Sequence, residues 1–164
     1  MTTAWKNNVF LAFSLNQKDA KEVSRELTKQ AAELYFAALR LSPRSIHRLP
    51  SGKPIFEENG HFLSVSHAGP FWIGVFAPFL IGVDAEKTKT EKLRVAEKYF
   101  TAEEKKSPFV KIWTAKEAVA KLCGGGLSCI SQIRISGDQA FFRGECYCLS
   151  WQEQQGYTIC IATK

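Results

Sequence analysis

Asp84 and Glu86 stand two residues apart in "GVDAEKTK", directly after the apolar run "PFLI". Side chains at i and i+2 of a strand share a face, so a strand continuing past Val83 sets these carboxylates side by side. Like charges at that spacing repel, and partial burial against Phe79, Ile81 and Val83 forces a proton onto one of them unless a cation intervenes. Mg2+ suits such a place, because it takes one or a few carboxylates and completes its shell with water and phosphate oxygens. The plainer alternative ends the strand at Val83 and leaves both acids as solvated turn residues beside Lys87 and Lys89. Glu117 in "WTAKEAVAK" has the same double character. With Lys121 one helical turn on it forms an exposed ion pair worth about 0.3–0.5 kcal/mol; with Trp113 one turn earlier it continues a buried stripe, where a carboxylate needs a partner.

The elements that must hold these residues follow from periodicity. "NNVFLAFSL" alternates as a strand, and residues 18 to 41 repeat apolar positions at three and four (Ala20, Val23, Leu27, Ala31, Leu34, Ala38, Leu41), which predicts an amphipathic helix. "LSPRSIHRLPSGKP" is punctuated as a loop, and "HFLSVS", "FWIGVF" and "FLIGVD" predict three strands in an antiparallel meander. "TKTE" and "TAEE" each match a capping box, so two helix starts are expected. The second leads into "PFVKIWTAKEAVAKLCGGG", a helix stopped by its glycines, which follow the helix and so are not a phosphate cradle. "CISQIRIS", "AFFRG", "CYCLSW" and "YTICIAT" complete the chain as strands. The order strand, helix, strands occurs twice. The expectation is an α+β fold of two similar lobes, about 1–78 and 79–164, each a small antiparallel sheet packed with a long helix.

A chain of 164 residues can bury a core without disulfides or a structural metal. No run of eighteen apolar residues marks a membrane span, and "MTTAWKNN" lacks a signal peptide's apolar core, so the cytoplasm is the expected location. Five cysteines without a CxxC spacing read as reduced core thiols. The net charge of +6 favours anionic partners such as nucleic acid, phosphorylated cofactors or acidic proteins.

Four motifs in order carry a resemblance. "GVDAEKTK" followed by "EKYFTAEE" and "IWTAKEAVAKLCGGGL" resembles the signature of the 4'-phosphopantetheinyl transferases, G-(I/V)-D and, at a distance, (W/F)-x-x-K-E-(A/S)-x-x-K. Upstream, "SGKPIF" and "FLSVSHAG" resemble the GKP and (N/S)xSH motifs of the surfactin-type branch. The resemblance spans about Gly52 to Leu127. It implies the two-lobed transferase fold related by a pseudo-twofold, and transfer of the phosphopantetheine arm of coenzyme A to a serine of an apo acyl or peptidyl carrier protein, with release of adenosine 3',5'-bisphosphate. The nucleophile then belongs to the partner, which accounts for the lack of a Ser-His-Asp or Cys-His set.

By the same resemblance Asp84, Glu86 and Glu117 hold Mg2+, Lys121 and Lys116 face the pyrophosphate, and Glu117 accepts the serine proton. Ser66 and His67 contact the ribose 3'-phosphate, and Lys53 lies near the adenine or its phosphates. The plain readings of these residues are a turn histidine and solvated lysines. Lys18, Lys21, Arg25 and Lys29 either face the 3'-phosphate too or form the solvated side of the first helix, and the solvated side is the expectation. The chain departs from the surfactin-type pattern in a shorter first lobe, its GKP motif starting already at Gly52. The expected assembly is a monomer with its site in the cleft between lobes. Two alternatives stand beside the enzyme: a non-catalytic member that binds coenzyme A or a carrier protein, and a basic nucleic-acid-binding domain using Trp5, Phe71, Trp72 and Trp151. The last lacks a stacking motif or basic stripe.

Overall fold

A computed structural model of the chain describes residues 1–16, 19–57 and 60–164. Its packing separates two units, Met1–Ile81 and Gly82–Lys164. The class is α+β, with antiparallel sheets.

In the first unit, β1 (Thr2–Lys6) and β2 (Val9–Leu15) form a hairpin. Its turn is Asn7 and Asn8, at φ 49° and 62°, the left-handed conformation that asparagine tolerates in a two-residue turn. Helix α1 (Ala20–Ala38) begins at Asp19, whose carboxylate accepts the Lys21 amide at 2.9 Å. After it come β3 (Ile46–Arg48), β4 (Pro54–Phe56), β5 (Phe62–Ala68) and β6 (Phe71–Ala77). The main sheet has the order β1-β2-β6-β5, and β3 pairs with β4 in a separate two-stranded sheet. Phe10, Tyr35, Phe36, Phe56, Trp72 and Phe76 fill the core under α1. Two expectations change here. The stripe of α1 holds at Ala20, Leu27 and Ala31 but shifts in its last turns, where Leu34 is exposed while Tyr35 and Phe36 are buried; Leu41, also exposed, lies beyond the helix end. The expected loop contains the β3–β4 hairpin.

The second unit opens with β7 (Ile81–Lys87), whose first residue closes the first unit. Helix α2 (Leu93–Tyr99), a 3-10 turn at Glu104–Lys106, helix α3 (Phe109–Cys123) and a 3-10 segment at Gly126–Gln132 follow. The chain ends in β8 (Arg134–Ser136), β9 (Gln139–Phe142), β10 (Glu145–Gln154) and β11 (Tyr157–Thr163). Their order is β7-β11-β10-β9-β8. The expected three-strand meander is therefore corrected: "LIGVD" leaves its neighbours in sequence and pairs with the last strand. Helix α3 packs on β11, burying Trp113, Val119, Ile130, Tyr147, Leu149 and Cys160 in one core, and stops at Gly124 with φ 71°.

The two capping boxes part ways. At "TAEE" the pattern is filled reciprocally, with the Glu104 amide donating to Thr101 Oγ1 and the Thr101 amide to Glu104 Oε2. At "TKTE" no side chain caps α2, which starts after Lys92. All five cysteines are free, but Cys146 and Cys148 are exposed rather than core thiols. No helix among the described residues is long and apolar enough to cross a membrane.

Candidate active site

The site is built where β7 lies against α3. Gly82 makes the approach possible, because a methyl group there would collide with the Ala118 carbonyl oxygen and come within 2.8 Å of the Leu122 amide nitrogen. Two residues further on, Asp84 is 3% exposed. Burial excludes the solvated-turn alternative for this acid: β7 continues through Asp84 to Lys87. Glu86, on the same face by strand alternation, is half-buried and has Lys92 Nζ 3.4 Å from its Oε1.

From α3, Lys121 donates from Nζ to Asp84 Oδ1 at 2.7 Å. Glu117, one turn earlier, is half-buried beside the same acids. Burial pushes its carboxyl up to about 7, and the Asp84 charge and, less strongly, the Glu86 charge push the same way against the pull of Lys121. The three acids thus act on one another electrostatically within the second unit. The exposed Glu117–Lys121 pair of the plain reading is replaced by an ammonium directed at Asp84.

Among the described residues no group of three or more His, Cys, Asp or Glu side chains converges as a formed metal cage; the cation on Asp84 is Lys121. The donor chemistry nonetheless fits a hard divalent ion. All three acids offer carboxylate oxygens, and Glu117, pushed up first by burial and then by the Asp84 charge, is a carboxylate that a further cation would relieve.

Lys116 needs correction. Its side chain is 0% exposed, with Nζ 3.0 Å from Glu104 Oε1, donating also to the Ile133 carbonyl oxygen and lying 5.8 Å from the centre of the Phe100 ring. A buried ammonium so engaged is a structural cation and does not face a pyrophosphate. Burial pushes the Glu104 carboxyl up, but the Thr101 and Ile135 amides and the Lys116 ammonium outweigh it and hold the group below the usual glutamate range. Burial holds the Lys116 ammonium below its ordinary value despite Glu104. Neither Glu104 nor Gly82 was singled out as functional from sequence; the filled capping box and the glycine before V-D are the signals that point to them.

The remaining expected residues lie in the first unit. Lys53 is half-buried just before β4, Ser66 is buried on β5, and His67 is exposed on the same strand, opposite Trp72 in register. Lys21, Arg25 and Lys29 are exposed on α1, and Lys18 lies outside the described residues. A feature not foreseen is a cavity of about 850 Å3, where Arg25 and Lys29 share the lining with Arg44, His47 and Arg48. Of the aromatics offered to nucleic acid, Phe71 and Trp72 are fully buried and Trp151 is covered by Lys111, 4.6 Å from its ring centre. Trp5 stays exposed on β1, so of the four only Phe71 and Trp72 are withdrawn from any stacking surface.

A family model of the 4'-phosphopantetheinyl transferase superfamily matches residues 80–162. The chain belongs to this superfamily. The match contains β7, α3 and every acid of the site. Among curated proteins, the chain is similar to the 4'-phosphopantetheinyl transferase ffp of Bacillus subtilis, at 32% identity over 65% of this chain and 48% of the relative. It also matches the 4'-phosphopantetheinyl transferase psf-1 of Bacillus pumilus, at 31% identity over 48% of this chain and 39% of the relative. The 4'-phosphopantetheinyl transferase Sfp of Bacillus subtilis (strain 168) matches at 33% identity over 47% of this chain and 40% of the relative. These relatives support the surfactin-type branch expected from the motifs. The aligned part is about half the length of these relatives or less.

Proposed function

We propose that the chain transfers the 4'-phosphopantetheine arm of coenzyme A to a serine hydroxyl of an apo acyl or peptidyl carrier protein. The observation that carries this is the assembly of Asp84, Glu117 and Lys121 by β7 and α3 within the segment that matches the superfamily. Asp84, Glu86 and Glu117 would hold Mg2+, which when bound supplies Lewis-acid polarisation and charge neutralisation at a pyrophosphate. Lys121 sets its ammonium against the pyrophosphate oxygens. Lys53, Ser66 and His67 hold the nucleotide end, with Ser66 and His67 on the 3'-phosphate.

The reaction needs little covalent work from the protein. The serine oxygen bonds to the β-phosphorus as the bond to the departing adenosine 3',5'-bisphosphate breaks, so positioning and charge stabilisation dominate. Glu117 takes the serine proton, directly or through one water. In this reading the protein works as a monomer in the cytoplasm, with coenzyme A and a carrier protein as its partners and without nucleic acid or membrane.

Release of adenosine 3',5'-bisphosphate, followed by chromatography, tests the reading. Release that requires both an apo carrier protein and Mg2+, and stops with Asp84→Ala, is expected. Coenzyme A binding without release, over a panel of fatty-acid, polyketide and peptide carriers, would instead make the chain a non-catalytic member.

A further inference from the structure

We propose that Lys121 is a built-in counter-ion of the acid cluster, which the divalent cation displaces on binding and which is thereby handed to the phosphates of the incoming nucleotide. The inference rests on the function proposed above and adds to it an antagonism between the lysine and the metal. Lys121 Nζ lies 2.7 Å from Asp84 Oδ1, at the acid that a metal ligated by this strand has to take. Asp84 is buried in β7, so its carboxylate cannot swing out to solvent to meet a metal elsewhere. The lysine can: its side chain is 32% exposed and sits in the last turn of α3, on a four-carbon stem whose rotamers reach away from the acid.

Exchange of one cation for another keeps the cluster balanced in both states. Without the dication, the Lys121 ammonium at 2.7 Å supplies the positive charge beside Asp84. With a dication in place, the acids no longer need the lysine, and a freed ammonium beside bound metal is an anion site that did not exist before. Metal and nucleotide should therefore bind with positive coupling, each tightening the other by the same factor.

The experiment is a Mn2+ titration of the metal-free protein, read by electron paramagnetic resonance, for the unmodified chain, Lys121→Met and Lys121→Arg. Lys121→Met is expected to bind Mn2+ about tenfold more tightly than the unmodified chain, the size of an ordinary site-to-site coupling. Lys121→Arg, which keeps the charge, should stay within about threefold of it. A purely structural lysine gives weaker binding on removal, and a lysine that serves only the phosphates gives no change; either result overturns the proposal. If the unmodified chain binds Mn2+ and Lys121→Met does not bind it more tightly, only this inference fails. If neither chain binds Mn2+, the metal site of the proposed function fails as well. A second measurement needs no variant: the Lys121 ammonium resonance in the 15N spectrum should move when Mg2+ is added, and a resonance that stays in place contradicts displacement.

Discussion

One residue before Glu117, the Lys116 ammonium lies 3.0 Å from the Glu104 carboxylate with both side chains buried. Adjacent residues on a helix point about 100° apart. A lysine locked to Glu104 and to the Ile133 carbonyl therefore sets the rotation of α3 about its axis, and with it the direction of Glu117. Removing one partner leaves an uncompensated buried charge, which costs about 3–5 kcal/mol. Glu104→Ala should lower urea-unfolding stability by that order, and Lys116→Met should recover part of the loss when added to it. Additive losses in the double variant would show that the two residues do not act as a pair.

Glu104 also shapes the acid limb of stability. Its folded carboxyl titrates below the unfolded one, so as pH falls the unfolded chain takes up the proton first. The contribution is complete above the unfolded value, near about 4.3, and is lost as pH drops through the folded value. Denaturation midpoints measured from pH 7 downward should fall more steeply for the unmodified chain than for Glu104→Gln.

Glu117 has the opposite sign. Its folded carboxyl, at about 7, retains a proton that the unfolded chain releases at lower pH. Its favourable contribution is complete below the unfolded value and is lost as pH rises through about 7. In chelator, Glu117→Gln should be more stable than the unmodified chain at pH 8 and indistinguishable from it near pH 4. Added Mg2+ should raise the melting temperature of the unmodified chain and leave Glu117→Gln little changed, since ligand bound only to the folded state stabilises it.

Gly82→Ala tests the approach of β7 to α3. The new methyl meets backbone atoms of Ala118 and Leu122, which cannot rotate away as a side chain can. Overpacking of this kind costs about 1–3 kcal/mol. The displacement also separates Asp84 from Glu117 and Lys121, so loss of Mn2+ binding should accompany the loss of stability. Normal Mn2+ affinity in a folded Gly82→Ala protein would argue against this geometry.

Periodicity exposed those elements that bury a continuous stripe. Helix α3 and strands β2, β5, β6 and β11 are such cases, and they hold Glu117, Lys121, Ser66 and His67. Strand β1 escaped because all five of its residues are exposed and so carry no alternation. The β3–β4 hairpin escaped because three-residue strands among Pro, Ser and Gly look like a loop. No local pattern says that β7 will pair with β11 rather than with its sequence neighbours; that choice is made by packing against α3. For Lys116 the sequence pattern showed a cation beside Glu117 but not which side of the helix would be buried, and the partner that settles it, Glu104, comes from the preceding turn.

The most direct test of the central claim is the intact mass of an apo carrier protein after incubation with this chain, coenzyme A and Mg2+. The account predicts a gain of one phosphopantetheine on the carrier serine, lost in chelator and lost with Asp84→Ala or Glu117→Gln. A gain that persists at full rate in Asp84→Ala, or no gain on any carrier from a chain that binds Mg2+ and coenzyme A, would contradict it.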